Sequence, residues 1–402
     1  RFPPCVCRSG GAAGARSEAS SIGLYYVDGT SAAIALANWV MRRLGGTFGP
    51  LEFHMIDVRD TAGKLLRLRV AYEDLADVQA RIVDSPAFQS FLRHSGADRR
   101  LAAYLAKKSV VGKTFFDHQS LWRSVYLIQV CVWWLRRTAS ADMTAVLFLS
   151  RCPWMEAVIS YAEKYGIEVV PVGSRISLKN SLMWLGGRES LLIIGALLCL
   201  LRGDFSGLRR PGKHLPRVAL QYYGQFGLEQ RECYTDFFFW QQSRLPGQNL
   251  LATFSLPQDK LDLSRLRAMA KHGIEAVALD YRATSLPAKH VYGPINVIPP
   301  LKRLGRLVAS MVQSKNKAWL IAQTAEYRDR REYWKNLFAA YNVKVHTMWY
   351  RYDAEHSVIA EAMRSVGGVA TLYQRAYESY QSPETAINTD VFFAFSPAGA
   401  QI

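Results

Sequence analysis

The feature that most constrains this chain is an alternation of short β-rich runs with stretches of helical periodicity, repeated in two successive blocks. Such alternation predicts βαβ units, and these units close into parallel sheets covered by helices. In the first block the pattern predicts strands over 24–27, 51–58, 145–149 and 167–172, and helices over 32–44 and 154–165. Residues 73–135 read as mostly helical. In the second block it predicts strands over 218–222, 250–254, 274–279, 343–348, 369–373 and 391–395. Helices are expected over 261–271, 300–313, 319–340 and 354–365. Gly166, Gly273 and Gly367 stand where a left-handed residue closes a helix. No repeat of fixed period stands out.

The expected fold class is therefore α/β, with two Rossmann-like parallel-sheet domains. Residues 1–20 are rich in Gly, Ala, Ser and Arg, lack an apolar core segment, and are expected to be disordered. Residues 21–175 form the N-terminal α/β domain, 176–216 an apolar and basic linker, and 217–402 the second α/β domain. The first residue is Arg, and Ile402 closely follows a strand-like run, so both ends are expected to be cut points of a longer chain.

Half of the residues are hydrophobic and 21% are charged, which excludes a disordered polymer. The six Cys form no C-x-x-C pair, so neither a disulfide framework nor a zinc ribbon is expected, and a reducing cytoplasm fits. None of the eight His pairs at i, i+4, and no Asp-x-Asp occurs, so no metal is expected. Neither G-x-G-x-x-G after a strand nor G-x-x-x-x-G-K-[ST] occurs, and G-x-S-x-G is missing too. Dinucleotide binding, P-loop chemistry and the serine-hydrolase elbow are disfavoured, and no cofactor is expected.

Lys and Arg number 50 against 33 Asp and Glu, a net charge of +17. That balance admits nucleic acid, an anionic membrane or phosphorylated small molecules as partners. No aromatic-interleaved basic motif of the RNA-binding modules is visible, so nucleic acid is the weakest of the three. The densest basic cluster, Arg202 to Arg217, follows an apolar run over 191–201. The run is about half the length that spans a bilayer. Two readings fit it: a monotopic element at the inner face of an anionic membrane, or a buried helix followed by a solvated linker. A second apolar run, 125–135, reads as a core helix.

In open parallel sheets, ligands bind beyond the carboxyl ends of the strands. That rule selects the loops holding Asp28, then Glu229 and Asp236, then Trp349, Arg351 and His356, and finally Tyr373, Gln374, Arg375 and Glu378. Aromatic, Arg and carboxylate together suit a sugar or nucleotide: a stacking platform, a phosphate clamp, and an acid or base. Structural roles also fit several of them. Asp28 and Asp353 are good helix caps, and His356 would then be an ordinary first-turn residue. Arg375 and Glu378 suit a surface ion pair. The aromatic run 234–240 suits a core, and Asp236 within it demands a partner or a raised pKa.

The segments Leu220-Gln221-Tyr222-Tyr223-Gly224, Thr235-Asp236-Phe237-Phe238-Phe239-Trp240, Met348-Trp349-Tyr350-Arg351-Tyr352-Asp353 and Tyr373-Gln374-Arg375-Ala376-Tyr377-Glu378-Ser379 carry a resemblance. The chain resembles bacterial surface carbohydrate biosynthesis proteins, which look like glycosyltransferases of the two-Rossmann GT-B class, mainly over 145–402. The resemblance implies a metal-independent, inverting transfer from a nucleotide-sugar donor to a glycan or lipid-linked glycan acceptor at the inner face of the cytoplasmic membrane. Related transferases often carry a Gln-His-Gly or Trp-His-Gly turn, where this chain reads Tyr373-Gln374-Arg375-Ala376. Two arrangements fit: either the donor domain lies beyond Ile402 and the chain alone is inactive, or the two α/β blocks are the two halves. Our expectation is the first.

On this reading Asp236, Glu229 and His356 are the base candidates. Arg375 and Arg351 face the phosphate, Trp349 and Tyr373 stack, and Gln374, Glu378 and Asp28 complete the substrate site. The alternative is a non-catalytic glycan- or partner-binding module of the same architecture.

Overall fold

The computed structural model of the chain describes residues 22–27, 57–59, 65–67, 72–110, 124–125, 128–129, 131–132, 144–172, 215–222, 228, 240, 243–255, 260–279, 281–287, 290–292, 313–348, 354–374 and 386–397. The second block builds a sheet from β6 (Arg217–Tyr222), β7 (Leu250–Phe254), β8 (Glu275–Ala278), β9 (Val343–Met348), β10 (Val369–Tyr373) and β11 (Val391–Phe393). Its order is β11-β10-β9-β6-β7-β8, every pair parallel. Counted from the block's own first strand this is 3-2-1-4-5-6, the order of the doubly wound nucleotide-binding folds. Strand order reverses between β6 and β9, which pair Ala219 with His346 and Leu220 with Thr347.

The first block holds β1 (Ile22–Val27), β4 (Thr144–Ser150) and β5 (Ile167–Val172), parallel and adjacent in that order. One expectation fails here. The strand over 51–58 was expected to join a parallel sheet; its described part, within β2 (Asp57–Arg59), pairs antiparallel with β3 (Leu65–Arg67) in a separate ribbon. The two runs are separated by only a few residues, a length that suits a hairpin and cannot hold a parallel crossover.

Helices α1 (Tyr72–Val83), α2 (Pro86–Ser95), α3 (Arg99–Val110) and α4 (Met155–Glu163) belong to the first block. Helices α5 (Leu263–Lys271), α6 (Lys315–Ala340) and α7 (Glu355–Ser365) belong to the second. Local chemistry sets their ends. Ser85 caps α2 through Phe88 N–H, with Pro86 at the first helical position. Asp262 caps α5 through Arg265 N–H, which lowers the Asp262 pKa and starts the helix two residues later than the periodicity suggests. The N-cap position of α7 is taken by Ala354, without a side-chain cap.

The sheet of the second block is packed on both faces. On one face Leu220, Tyr222, Ala252 and Phe254 lie with Met269 of α5 in a compact core. On the other, Ala219, Leu251, Met348, Ala370 and Leu372 join α6 and α7 in a larger core. That larger core runs on into the first block, through Tyr104, Leu105, Leu147, Val158 and Tyr161. Val125, Ile128, Cys131 and Val132 of the second apolar run are buried within it, as expected of a core helix.

Helix α6 is the beam between the blocks: it packs on β9 and α7 in the second and on α2 and α3 in the first. Arg100 of α3 pairs with Glu361 of α7 at 3.0 Å and with Asp390, just before β11, at 2.6 Å. The guanidinium is largely buried, so its loss strands two carboxylates together. Arg100→Ala is expected to lower unfolding free energy by about 2 kcal/mol, measured by urea denaturation; Arg100→Lys should recover only part of it, because a point charge cannot span both partners.

Candidate functional site at the carboxyl edges

Helix α6 ends at Ala340 and the chain turns directly into β9 at Val343. Trp334 and Phe338 both lie against the ring of His346, in the middle of β9, at 5.6 and 5.4 Å. The helix therefore runs antiparallel to β9, as a crossover helix does. Its N-terminal half projects toward the carboxyl ends of the six-stranded sheet. There it meets the carboxyl end of β4: Asn316 accepts Trp154 N–H at 2.7 Å and Lys315 Nζ donates to Arg151 O. The turn after β4 and the N-terminal end of α6 therefore lie against each other.

At the reversal point the described edge is polar and tied. Gln221 Nε2 near the end of β6 donates to Ser255 Oγ beyond β7 at 2.9 Å. The Tyr222 ring packs on Phe254 at 4.8 Å and lies under the Arg265 guanidinium at 5.3 Å. Across β9, Glu355 opens α7 and accepts Trp334 Nε1–H at 2.6 Å, with Arg330 Nη1 at 3.3 Å. Periodicity did not single out Gln221, Ser255, Arg265 or Glu355 as site residues, because each gains its neighbour only through tertiary pairing.

Three of the residues expected at the site are described. His356 sits in the first turn of α7 but is only 1% exposed, turned into the core rather than toward open solvent. Gln374 is also buried: its N–H donates to Phe393 O at 2.8 Å and its Oε1 accepts Phe395 N–H at 2.9 Å. It thereby stitches the exit of β10 to β11. Tyr373 is the last residue of β10 and is half-buried. Asp28, Glu229, Asp236, Trp349, Arg351, Arg375 and Glu378 lie outside the described residues, as does Asp353. Of the aromatic run, Trp240 is described: it packs on the smaller core and donates Nε1–H to Leu245 O at 2.8 Å.

At the carboxyl end of β4, Trp154 adopts a left-handed backbone (φ 64°) at the N-cap of α4, a conformation that costs a bulky residue energy. Cys152 beside it is buried, and burial pushes its thiol up to about 12 despite the nearby Lys315 ammonium. This thiol is not poised as a nucleophile.

No family model, curated protein or solved structure matches the chain. Among the described residues no group of three or more His, Cys, Asp or Glu is placed to hold a metal ion, and no helix is long and apolar enough to cross a membrane.

Proposed function

We propose that the chain is a GT-B-like glycosyltransferase of surface polysaccharide biosynthesis. The nucleotide of an activated sugar binds at the β6/β9 reversal point, and the acceptor glycan enters from the side of β4. One observation carries this reading: a six-stranded parallel sheet of order 3-2-1-4-5-6 whose helix α6 reaches the end of β4 in a second parallel sheet. The reversal point of such a sheet leaves a crevice between oppositely directed crossovers, where phosphates meet helix N-termini. This favours the arrangement in which the two α/β blocks act as the two halves, over the expectation that the donor half lies elsewhere.

In the proposed mechanism an acceptor hydroxyl attacks the anomeric carbon in line with the departing nucleotide. Arg351 and Arg375 follow β9 and β10 in sequence and would take up the developing phosphate charge, without a metal. Trp349 and Tyr373 would stack on base or sugar, with Gln374, Glu378 and Asp28 completing the pocket. Since His356 faces the core, the base role falls to Asp236 or Glu229. Asp236→Asn is expected to abolish sugar transfer while leaving thermal stability and donor binding intact; undiminished turnover would remove Asp236 from the mechanism. Donor binding should weaken only modestly with salt, whereas a nucleic-acid partner would be lost steeply.

The burial of His356 and Gln374 favours a second reading, a non-catalytic glycan-binding module. Saturable donor binding without turnover, toward any acceptor, would select it. Contact with an anionic membrane through 191–217 completes the proposal; Leu215, at the end of that segment, is 52% exposed. Co-sedimentation with phosphatidylglycerol vesicles but not with phosphatidylcholine vesicles is the expected result.

A further inference from the structure

The face that α6 turns toward the first block is buried, yet it carries polar atoms with no hydrogen-bond partner. Gln323 Oε1, Thr324 Oγ1 and Tyr327 OH are all in this state. Their residues are 7%, 6% and 3% exposed. They fall, with Asn316, within about 100° of helical arc. Across the seam the Trp154 indole N–H is buried and unpartnered as well, with its ring edge-on to Trp319 of α6 at 5.5 Å. A static interior rarely retains four such groups along one contact, because an isosteric apolar side chain at each place would be more stable.

A second feature points the same way. The left-handed Trp154 is held by its N–H bond to Asn316 Oδ1, and that bond crosses from one block to the other. If α6 withdraws, the bond is lost and Trp154 is free to relax. The seam's apolar part, Trp154 on Trp319 and Tyr104 on Tyr327, draws it closed, while its polar fastenings are groups that water can replace. Lys108 Nζ lies 3.7 Å from Glu326 Oε1, Arg100 spans Glu361 and Asp390, and Lys315 donates to Arg151 O. A bistable contact of this kind has strain and unpaired polar atoms in the closed form, both relieved by hydration on opening.

We infer that the seam between α6 and the first block, formed by α3 and the β4–α4 turn, is a separable joint. The first block swings off α6 and back, and the closed arrangement described above is one of its two states. This goes beyond the proposed transferase reading, and its test needs no nucleotide, so either can fail without the other.

Cys152 reports the joint and Cys131 serves as its control. Both cysteines are buried and neither is in a disulfide, but Cys152 lies on the seam near Lys315, whereas Cys131 is inside the core of the first block. The experiment is timed iodoacetamide labelling of the native chain, with each cysteine peptide quantified by mass spectrometry. Local opening predicts Cys152 labelling on the order of 100-fold faster than Cys131. Asn316→Ala, which releases Trp154, should speed Cys152 by about 10-fold and leave Cys131 unchanged. The triple substitution Gln323→Leu, Thr324→Val, Tyr327→Phe makes the closed face apolar; it should slow Cys152 by about 10-fold and raise the melting temperature. A single common rate for both thiols in the wild-type and Asn316→Ala proteins would overturn the inference, because the seam would then break only on global unfolding. So would faster Cys152 labelling in a folded triple variant.

Discussion

Replacing His346 by leucine is expected to flatten the acid side of the stability profile and to raise stability at neutral pH. His346 lies in the middle of β9, fully buried, with Trp334 and Phe338 against its ring and neither ring nitrogen hydrogen-bonded. Burial lowers its pKa from 6.5 to about 3. The folded imidazole therefore stays neutral where the unfolded one takes up a proton. Between about pH 6.5 and pH 3 the unfolded chain binds more protons, so stability falls as the pH falls through that window. The loss reaches about 2 kcal/mol at pH 5 and up to about 5 kcal/mol near pH 3. Above pH 6.5 the contribution is pH-independent. Leucine carries no proton and leaves no polar atom unpaired. Urea denaturation of wild type and His346→Leu at pH 7.5, 6 and 5 checks this: the two curves should diverge as the pH falls. Parallel curves would show that His346 does not set the acid limb.

The second large effect is expected at Gly247, in the 3-10 turn that leads into β7 (Gly247–Asn249). A Cβ there would lie 1.7 Å from the backbone carbonyl oxygen of His272, at the end of α5. A carbonyl cannot turn aside as a side chain can, so the turn, the α5–β8 connection or both must move. Gly247→Ala should cost more than about 3 kcal/mol, among the severe single substitutions. Gly166→Ala provides the contrast. Gly166 has φ +67° with nothing within 4 Å of its would-be Cβ, so only the left-handed backbone is penalised, at about 1 kcal/mol. Equal losses at the two positions would contradict the close approach at Gly247.

Much of the frame was legible in the sequence. Strands β5, β7, β9 and β10 have the bounds that the sequence predicts, because each is a short run rich in β-branched and apolar residues. Gly166, Gly273 and Gly367 all have positive φ, as their place after helices suggested. Helix α6 was harder. Gln323, Thr324 and Glu326 are buried alongside Trp334 and Phe338, so no single apolar stripe marks it, and its start at Lys315 is fixed by the Ser314 cap. The antiparallel β2–β3 ribbon was missed because a three-residue strand leaves almost no periodic signal.

The candidate site was legible only as a set of loops. The carboxyl-end rule finds the right edge of a parallel sheet from strand order alone. It cannot tell that His356 turns inward, that Gln374 ties β10 to β11, or that Glu355 meets Trp334 and Arg330. Those outcomes depend on neighbours brought in by tertiary packing and strand pairing, which no local pattern records.

The central claim is that the β6/β9 reversal point takes the nucleotide of an activated sugar. Hydrogen–deuterium exchange of the whole chain tests it most directly. The probes are UDP-glucose, UDP-N-acetylglucosamine, GDP-mannose, dTDP-rhamnose and CMP-sialic acid, each in saturating excess. The account predicts that one of these donors slows exchange in peptides spanning 221–225 and 347–353, at the carboxyl ends of β6 and β9. Peptides around 365–369 and 272–275, at the opposite edge of the sheet, should be unaffected. No protection by any donor, or protection confined to the opposite edge, would contradict it.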